Sequence, residues 1–213
     1  MAMAIFCWWR ASKPRYLQVQ ARRSYVMSDY ISSELSPSDK DSWSTPLWLY
    51  SALNHEFQFR VDACASESNA KCGVFISEDM NALDMENWAS ASPIYSHLKN
   101  QFVWINPPYS RGMIKAFIEK AYEQCTKNKI NSVLLVPATP DASWWPTNAT
   151  EIRFITGGRI SFINPISKKS VNGNTKGSAL IIFKHSDIGS PMVTRYVQRN
   201  NLKSLGEMME VSK

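Results

Sequence analysis

Residues 102–138 read FVWINPPYSRGMIKAFIEKAYEQCTKNKINSVLLVPA. The apolar run 102–105 has the composition of a buried strand, and it cannot continue past Asn106. Pro107 and Pro108 donate no backbone hydrogen bond and fix φ, so the chain must leave the sheet there. A helix comes next. Ile114, Phe117, Ile118, Ala121, Tyr122 and Cys125 fall at i, i+3, i+4, i+7, i+8 and i+11, with Lys115, Glu119, Lys120 and Glu123 on the opposite face. Asn128 suits its end. SVLLVPA (132–138) is then continuously apolar, as a strand covered on both faces of a parallel sheet must be. Strand, turn, helix and strand in this order predict a βαβ crossover and an α/β fold.

The flanking sequence extends the pattern. In TPLWLYSALNHEF (45–57), Thr45 can cap a helix, Pro46 suits its first position, and Leu47, Tyr50, Leu53 and Phe57 recur at helical spacing. FQFRVDACA and CGVFIS read as strands that run into Asp62 and into Glu78–Asp79. Asp62 and Val74 are only 12 positions apart, so the crossover between these strands must be stunted. Downstream, EIRFIT, GRISFI and SALIIF add strands, the last two flanking a polar, lysine-bearing loop (167–178). The expectation is a mostly parallel sheet with an antiparallel C-terminal finish. Residues 1–39 read as a poorly ordered N-terminal extension, 40–190 as the catalytic domain with a hairpin near 157–178, and 191–213 as a C-terminal tail. In 1–26 the apolar run precedes Arg10, the reverse of a secretory signal, and either Met27 is the native start or 1–26 is a poorly packed extension.

The chain has 213 residues, 44% of them hydrophobic, which suits one well-packed domain and excludes a disordered chain. No apolar run reaches the length of a membrane span. Cys7, Cys64, Cys72 and Cys125 form no CxxC pair and the three histidines are scattered, which argues against a metal. A soluble protein with free thiols, in a reducing compartment, is expected. Net charge is +6, unevenly spread: residues 27–100 hold 4 basic and 11 acidic side chains, residues 101–213 hold 15 and 7. An acidic half facing a cation and a basic half facing a polyanion fit one protein with two ligands, and two solvated faces fit equally well. Between 151 and 185, Arg153, Arg159, Lys168, Lys169, Lys176 and Lys184 stand against Glu151 alone.

Open α/β sheets bind ligands at the carboxyl ends of their strands, which puts Asp62, Glu78, Asp79 and Asn106 on one rim. With STP (44–46), DACA (62–65), NPPY (106–109), VPATPDASWW (136–145) and GGRISF (157–162) in this order, the chain resembles the phage-encoded N6-adenine DNA methyltransferases, the Dam-like group, over roughly residues 40–185. The resemblance implies a Rossmann-like methyltransferase sheet, S-adenosylmethionine as cofactor and double-stranded DNA as substrate. The enzyme would act in a bacterial or phage-infected cell, as a monomer or weak dimer with no obligate protein partner.

The chemistry agrees. The adenine 6-amino group is a poor nucleophile because its lone pair is delocalised into the ring. The Asn106 side-chain carbonyl and the Pro107 backbone carbonyl can each accept one amine hydrogen. That favours a pyramidal nitrogen in the transition state and aims its lone pair at the methyl, so no strong base is needed. Pro107 and Pro108 keep the acceptors rigid, and Tyr109 offers a π face to a base rotated out of the duplex. By resemblance, Thr45 and Pro46 touch the methionine end of the cofactor, and Asp62, Ala63, Cys64 and Ala65 stand where relatives carry a glycine-rich turn, which is absent here. Glu78 or Asp79 suits the ribose hydroxyls, and Asn81–Ala82 the cofactor's adenine. Arg111, Arg159, Lys168, Lys169 and Lys176 are the DNA-facing candidates, giving affinity through phosphates. Two rivals stay open on sequence alone: an RNA or protein-amide substrate for the same shelf, or a decayed scaffold that binds DNA without turnover.

Overall fold

Strands that are apolar on both faces need a helix layer on each side. The computed structural model, which describes residues 43–91, 102–110, 112–164, 167–171 and 175–211, has that arrangement. In chain order its elements are α1 (Leu47–Phe57), β1 (Val61–Asp62), β2 (Val74–Phe75), β3 (Phe102–Ile105), α2 (Met113–Asn128), β4 (Asn131–Pro137), β5 (Glu151–Thr156), β6 (Phe162–Ile163), β7 (Ser170–Val171), β8 (Ser178–Phe183), β9 (Val193–Gln198) and α3 (Arg199–Val211). Seven strands form one sheet in the order β2-β1-β3-β4-β8-β5-β9, and β6 pairs with β7 beside it. The β2-β1-β3-β4 ladders are parallel. β8 runs antiparallel between β4 and β5, and β9 returns to parallel on β5. The fold is thus the expected α/β sheet, mostly parallel, with its antiparallel strand near the C-terminus.

The period-two alternation of the strands sorts the core into two layers. Val103, Ile105, Leu134, Val136, Ile181 and Phe183 face α2 through Ile114, Phe117, Ile118, Ala121 and Cys125. Phe102, Trp104, Val133, Leu135, Leu180 and Ile182 face α1 and α3 through Leu49, Leu53, Phe57 and Leu202. The segment expected to be a C-terminal tail builds an edge strand, Val193–Gln198, and a helix, Arg199–Val211, that docks on α1. As expected, the β1–β2 crossover holds only turns. Residues 1–39 lie outside the described residues.

A buried amide fastens α2 to the other elements. Gln124, fully buried, accepts from the Trp88 backbone N–H (3.1 Å) and donates to the carbonyls of Met85 (3.3 Å) and Glu86 (2.9 Å). Trp88, also fully buried, donates its indole N–H to the Ala82 carbonyl at 2.8 Å. Gln124→Leu keeps the volume and leaves the Trp88 N–H and the Met85 carbonyl without this partner, while the Glu86 carbonyl keeps the Asn128 amide at 2.6 Å. It is expected to cost about 2–4 kcal/mol, read from the urea midpoint; an unchanged midpoint would mean that water enters to replace the amide.

Candidate active site

Three parallel strands end side by side, so the turns leaving them share one rim. Asp62, last in β1, is in register with Phe75 on β2 and Trp104 on β3. Asn106 comes one residue after β3. At this edge the sequence brings Asp62–Ala65, the 77–84 turns and the Asn106–Tyr109 shelf together.

Asn106 is held by its amide. Its Nδ2 donates to the Trp43 carbonyl at 3.2 Å, which fixes the side chain so that Oδ1 points the other way. Oδ1 is buried and has no hydrogen-bond partner among the described residues. A buried carbonyl oxygen without a partner forgoes a hydrogen bond that water would have supplied, so its placement calls for an explanation. Pro107 is buried and Pro108 half-buried. The chain then folds over β4: the Tyr109 hydroxyl donates to the Leu135 carbonyl at 3.3 Å, and its ring meets Phe162 of β6 edge-on, 6.2 Å between centroids. Burial of the hydroxyl pushes its ionisation well above that of an ordinary tyrosine, while 38% of the residue stays exposed. The hydroxyl anchors the residue while part of it stays exposed.

A strap crosses the site. Ser44 exchanges two backbone hydrogen bonds with Ile163, both 2.9 Å, so residues 43–46 run between β6 and the shelf. The expectation that Thr45 caps α1 is corrected here: Pro46 takes the N-cap position in extended conformation, and no side chain caps the helix. Thr45 is displaced one residue from the first turn. Its hydroxyl, in a residue only 2% exposed, has no partner among the described residues.

Asp62 organises the turn that follows β1. Its carboxylate accepts from the N–H groups of Cys64 (3.3 Å) and Lys71 (3.1 Å), and Ala63 donates to the Trp104 carbonyl at 2.9 Å. Ala65 is buried and Cys64 is a half-buried free thiol. Burial outweighs those hydrogen bonds and raises the Asp62 pKa to about 6. A folded-state pKa above the unfolded one means that the folded state binds the extra proton, so Asp62 lowers stability as pH rises from about 4 to about 6. The ionised carboxylate costs on the order of 3 kcal/mol at neutral pH. Asp62→Asn removes that dependence at the price of one acceptor. Its melting temperature relative to the parent is expected to climb between pH 4 and pH 7, and parallel profiles would mean that Asp62 titrates normally.

The other expected residues divide. Glu78 and Asp79 are exposed in a turn on the rim. Asn81, at φ 49°, accepts from the Leu83 N–H and bonds Asp84 with its amide, so its side chain shapes its own loop. Ala82 is buried and its carbonyl serves Trp88. Arg159, Lys168, Lys169 and Lys176 are exposed on the turn and hairpin beyond β5. Arg111 lies outside the described residues. Arg153, basic in sequence, is not offered to a polyanion: it forks onto Glu56 at 2.7 Å, pairs with Glu151 at 2.7 Å, and lies over the Phe57 ring. Reading the sequence missed Trp43, Phe162 and Lys71. Trp43 acts through its backbone, which leaves no signature in residue identity.

Known proteins resemble this chain along most of its length. The profile of the family described as DNA N-6-adenine-methyltransferase (Dam) matches residues 32–209. A DNA N-6-adenine-methyltransferase of Haemophilus phage HP1 (strain HP1c1) is 30% identical over 179 residues, 82% of this chain and 96% of that protein. Another, of Escherichia phage T1, is 34% identical over 176 residues, 74% of this chain and 68% of that protein.

Proposed function

The chain belongs to the DNA N-6-adenine-methyltransferase (Dam) family, and we propose that its methyl donor is S-adenosylmethionine and its substrate an adenine flipped from duplex DNA. The observation that carries the reading is the buried, unpartnered Oδ1 of Asn106, an acceptor oriented by the Trp43 carbonyl and left open. The rim fits the donor: a second buried polar atom without a partner, Thr45 Oγ1, stands on the strap, and exposed carboxylates at Glu78 and Asp79 come after β2. When bound, S-adenosylmethionine supplies an electrophilic methyl on a sulfonium.

The chain's own residues do the rest. Asn106 Oδ1 and the Pro107 carbonyl each accept one hydrogen of the adenine amine and favour its pyramidal form. Tyr109, fixed through its hydroxyl, presents its ring to the base. Thr45 and Pro46 hold the methionine end, Asp62–Ala65 shape the turn beneath it, and Asn81–Ala82 border the adenine end. Arg159, Lys169 and Lys176, with Arg111, neutralise phosphates. The catalytic unit on this reading runs past residue 190, because α3 braces the helix that begins at the strap. Family membership sets aside an RNA or protein substrate, and the pre-oriented amide argues against a decayed scaffold.

The test is transfer of labelled methyl from S-adenosylmethionine to unmethylated duplex DNA, with digestion of the product to nucleosides. Label in N6-methyladenosine is expected; label in any other nucleoside, or in none, overturns the proposal.

A further inference from the structure

The Tyr109 hydroxyl that bonds the Leu135 carbonyl lies on the axis about which its own ring turns. A bond at that point fixes where the ring is and leaves its plane free, because the torsion between Cβ and an aromatic ring is broad and two-fold. Stacking depends on the plane. Phe162 supplies what the hydroxyl cannot: its ring stands at 86° to that of Tyr109, with 6.2 Å between centroids. We propose that Phe162 is a positioning residue, which sets the ring plane of Tyr109 and makes the β6–β7 hairpin part of the methyl-transfer site.

Phe162 is itself firmly held. It is only 4% exposed and shares with Ile160 the core layer that carries α1. Other rings of that layer, Tyr50 with Trp104 and Phe57 with Phe102, join core residues to each other. Phe162 instead meets a shelf residue that keeps part of its surface open. The hairpin behind it is braced. Phe162 pairs with Val171 and Ile163 with Ser170. Asn164 closes the turn: its N–H donates to the Lys169 carbonyl at 2.9 Å, its carbonyl accepts from the Lys168 N–H at 3.0 Å, and its Oδ1 accepts from the Ser167 N–H at 2.9 Å. Ile163 exchanges its two hydrogen bonds with Ser44, next to the Trp43 carbonyl on which the Asn106 amide rests. Consecutive residues of β6 therefore reach both ends of the shelf, Phe162 through its side chain and Ile163 through its backbone. Removing the Phe162 ring should release Tyr109 and leave Asn106 oriented. An edge-to-face pair is worth a factor of about 2 to 10, enough to favour one ring plane over another.

The consequence for turnover rests on the proposed function; the hold on the ring does not. The experiment uses the full chain, labelled with carbon-13 at the tyrosine ε positions, and reads ring-flip rates by nuclear magnetic resonance. Loss of a signal in Tyr109→Phe identifies Tyr109. In the parent its ring is expected to flip more slowly than that of Tyr196, which is 75% exposed. Phe162→Leu is expected to speed the flip by about 3- to 10-fold. Single-turnover methyl transfer to duplex DNA should slow by a similar factor in Phe162→Leu, with the affinity for S-adenosylhomocysteine unchanged. In a Tyr109→Leu background the same substitution should cost no further rate, because both act through one ring and their effects do not add. A general loss of packing would cost the same factor in both backgrounds, and that result overturns the proposal. So does a Tyr109 flip rate that equals that of Tyr196 in the parent or is unchanged by Phe162→Leu. Circular dichroism reads folding, and the comparison within the parent decides if Phe162→Leu fails to fold. A parent that transfers no methyl overturns the proposed function instead, and the flip rates still read the hold of Phe162 on the ring.

Discussion

Asn106→Ala is expected to lower kcat by roughly 10²–10³-fold, the loss seen when one pre-set hydrogen-bond partner of a transition state is removed. Donor affinity is expected to stay at the parent level, because the acceptor meets the amine and not the cofactor. kcat and kcat/KM should fall together, the signature of a contact made in the transition state and not in the ground state. The geometry gives a sharper comparison in Asn106→Asp. A carboxylate keeps an acceptor towards the substrate, but its second oxygen then faces the Trp43 carbonyl, where Nδ2 now donates at 3.2 Å. Two acceptors cannot share that contact, so the side chain must rotate or take a proton. Asn106→Asp should therefore fall between parent and alanine and recover towards acid pH. Single-turnover rates on duplex DNA measure both variants, and an alanine variant as fast as the parent would remove the shelf from the mechanism.

How much of this was legible depended on how much physics sits in contiguous residues. β4, β8 and α2 could be read because burial on two faces or one stripe demands a long, unbroken apolar pattern. β1 and β2, two residues each, carry no period of their own. The apolar alternation upstream of β1 came from Phe57 and Phe59, core residues outside the strand that pack on Phe102 and Trp104 respectively. β9 escaped because it lies at the sheet edge with most of its residues exposed, so its sequence has no inside to alternate with. The proposed shelf stands out in sequence because its four residues, Asn106 to Tyr109, are consecutive. The strap does not: Thr45 looked like a cap, and only the fold reveals that Pro46 occupies that position and leaves the hydroxyl buried without a partner among the described residues.

The helix that sequence reading took for a tail supplies the second large effect. Gly206 of α3 is buried where α3 crosses α1, and a methyl built on it would overlap the Trp48 backbone at the carbonyl and Cα. Backbone cannot step aside as a flexible side chain can, so the helices must part. At an exposed helical position, Gly→Ala gains about 1 kcal/mol. Here Gly206→Ala is expected to lose about 3 kcal/mol, which lowers the urea midpoint by about 1 M. Lys203→Ala on the same helix gives up only a surface pair with Glu207 and should change stability by less than about 1 kcal/mol. The consequence reaches the site, because Trp48 is in the first turn of α1, directly after the strap residues that hold Asn106. Forcing α1 outward moves the Trp43 carbonyl and loosens the amide it orients. Gly206→Ala should thus lose turnover at temperatures where circular dichroism still shows a folded protein, whereas a more stable variant with parental activity would show that α3 does not dock on α1 in solution.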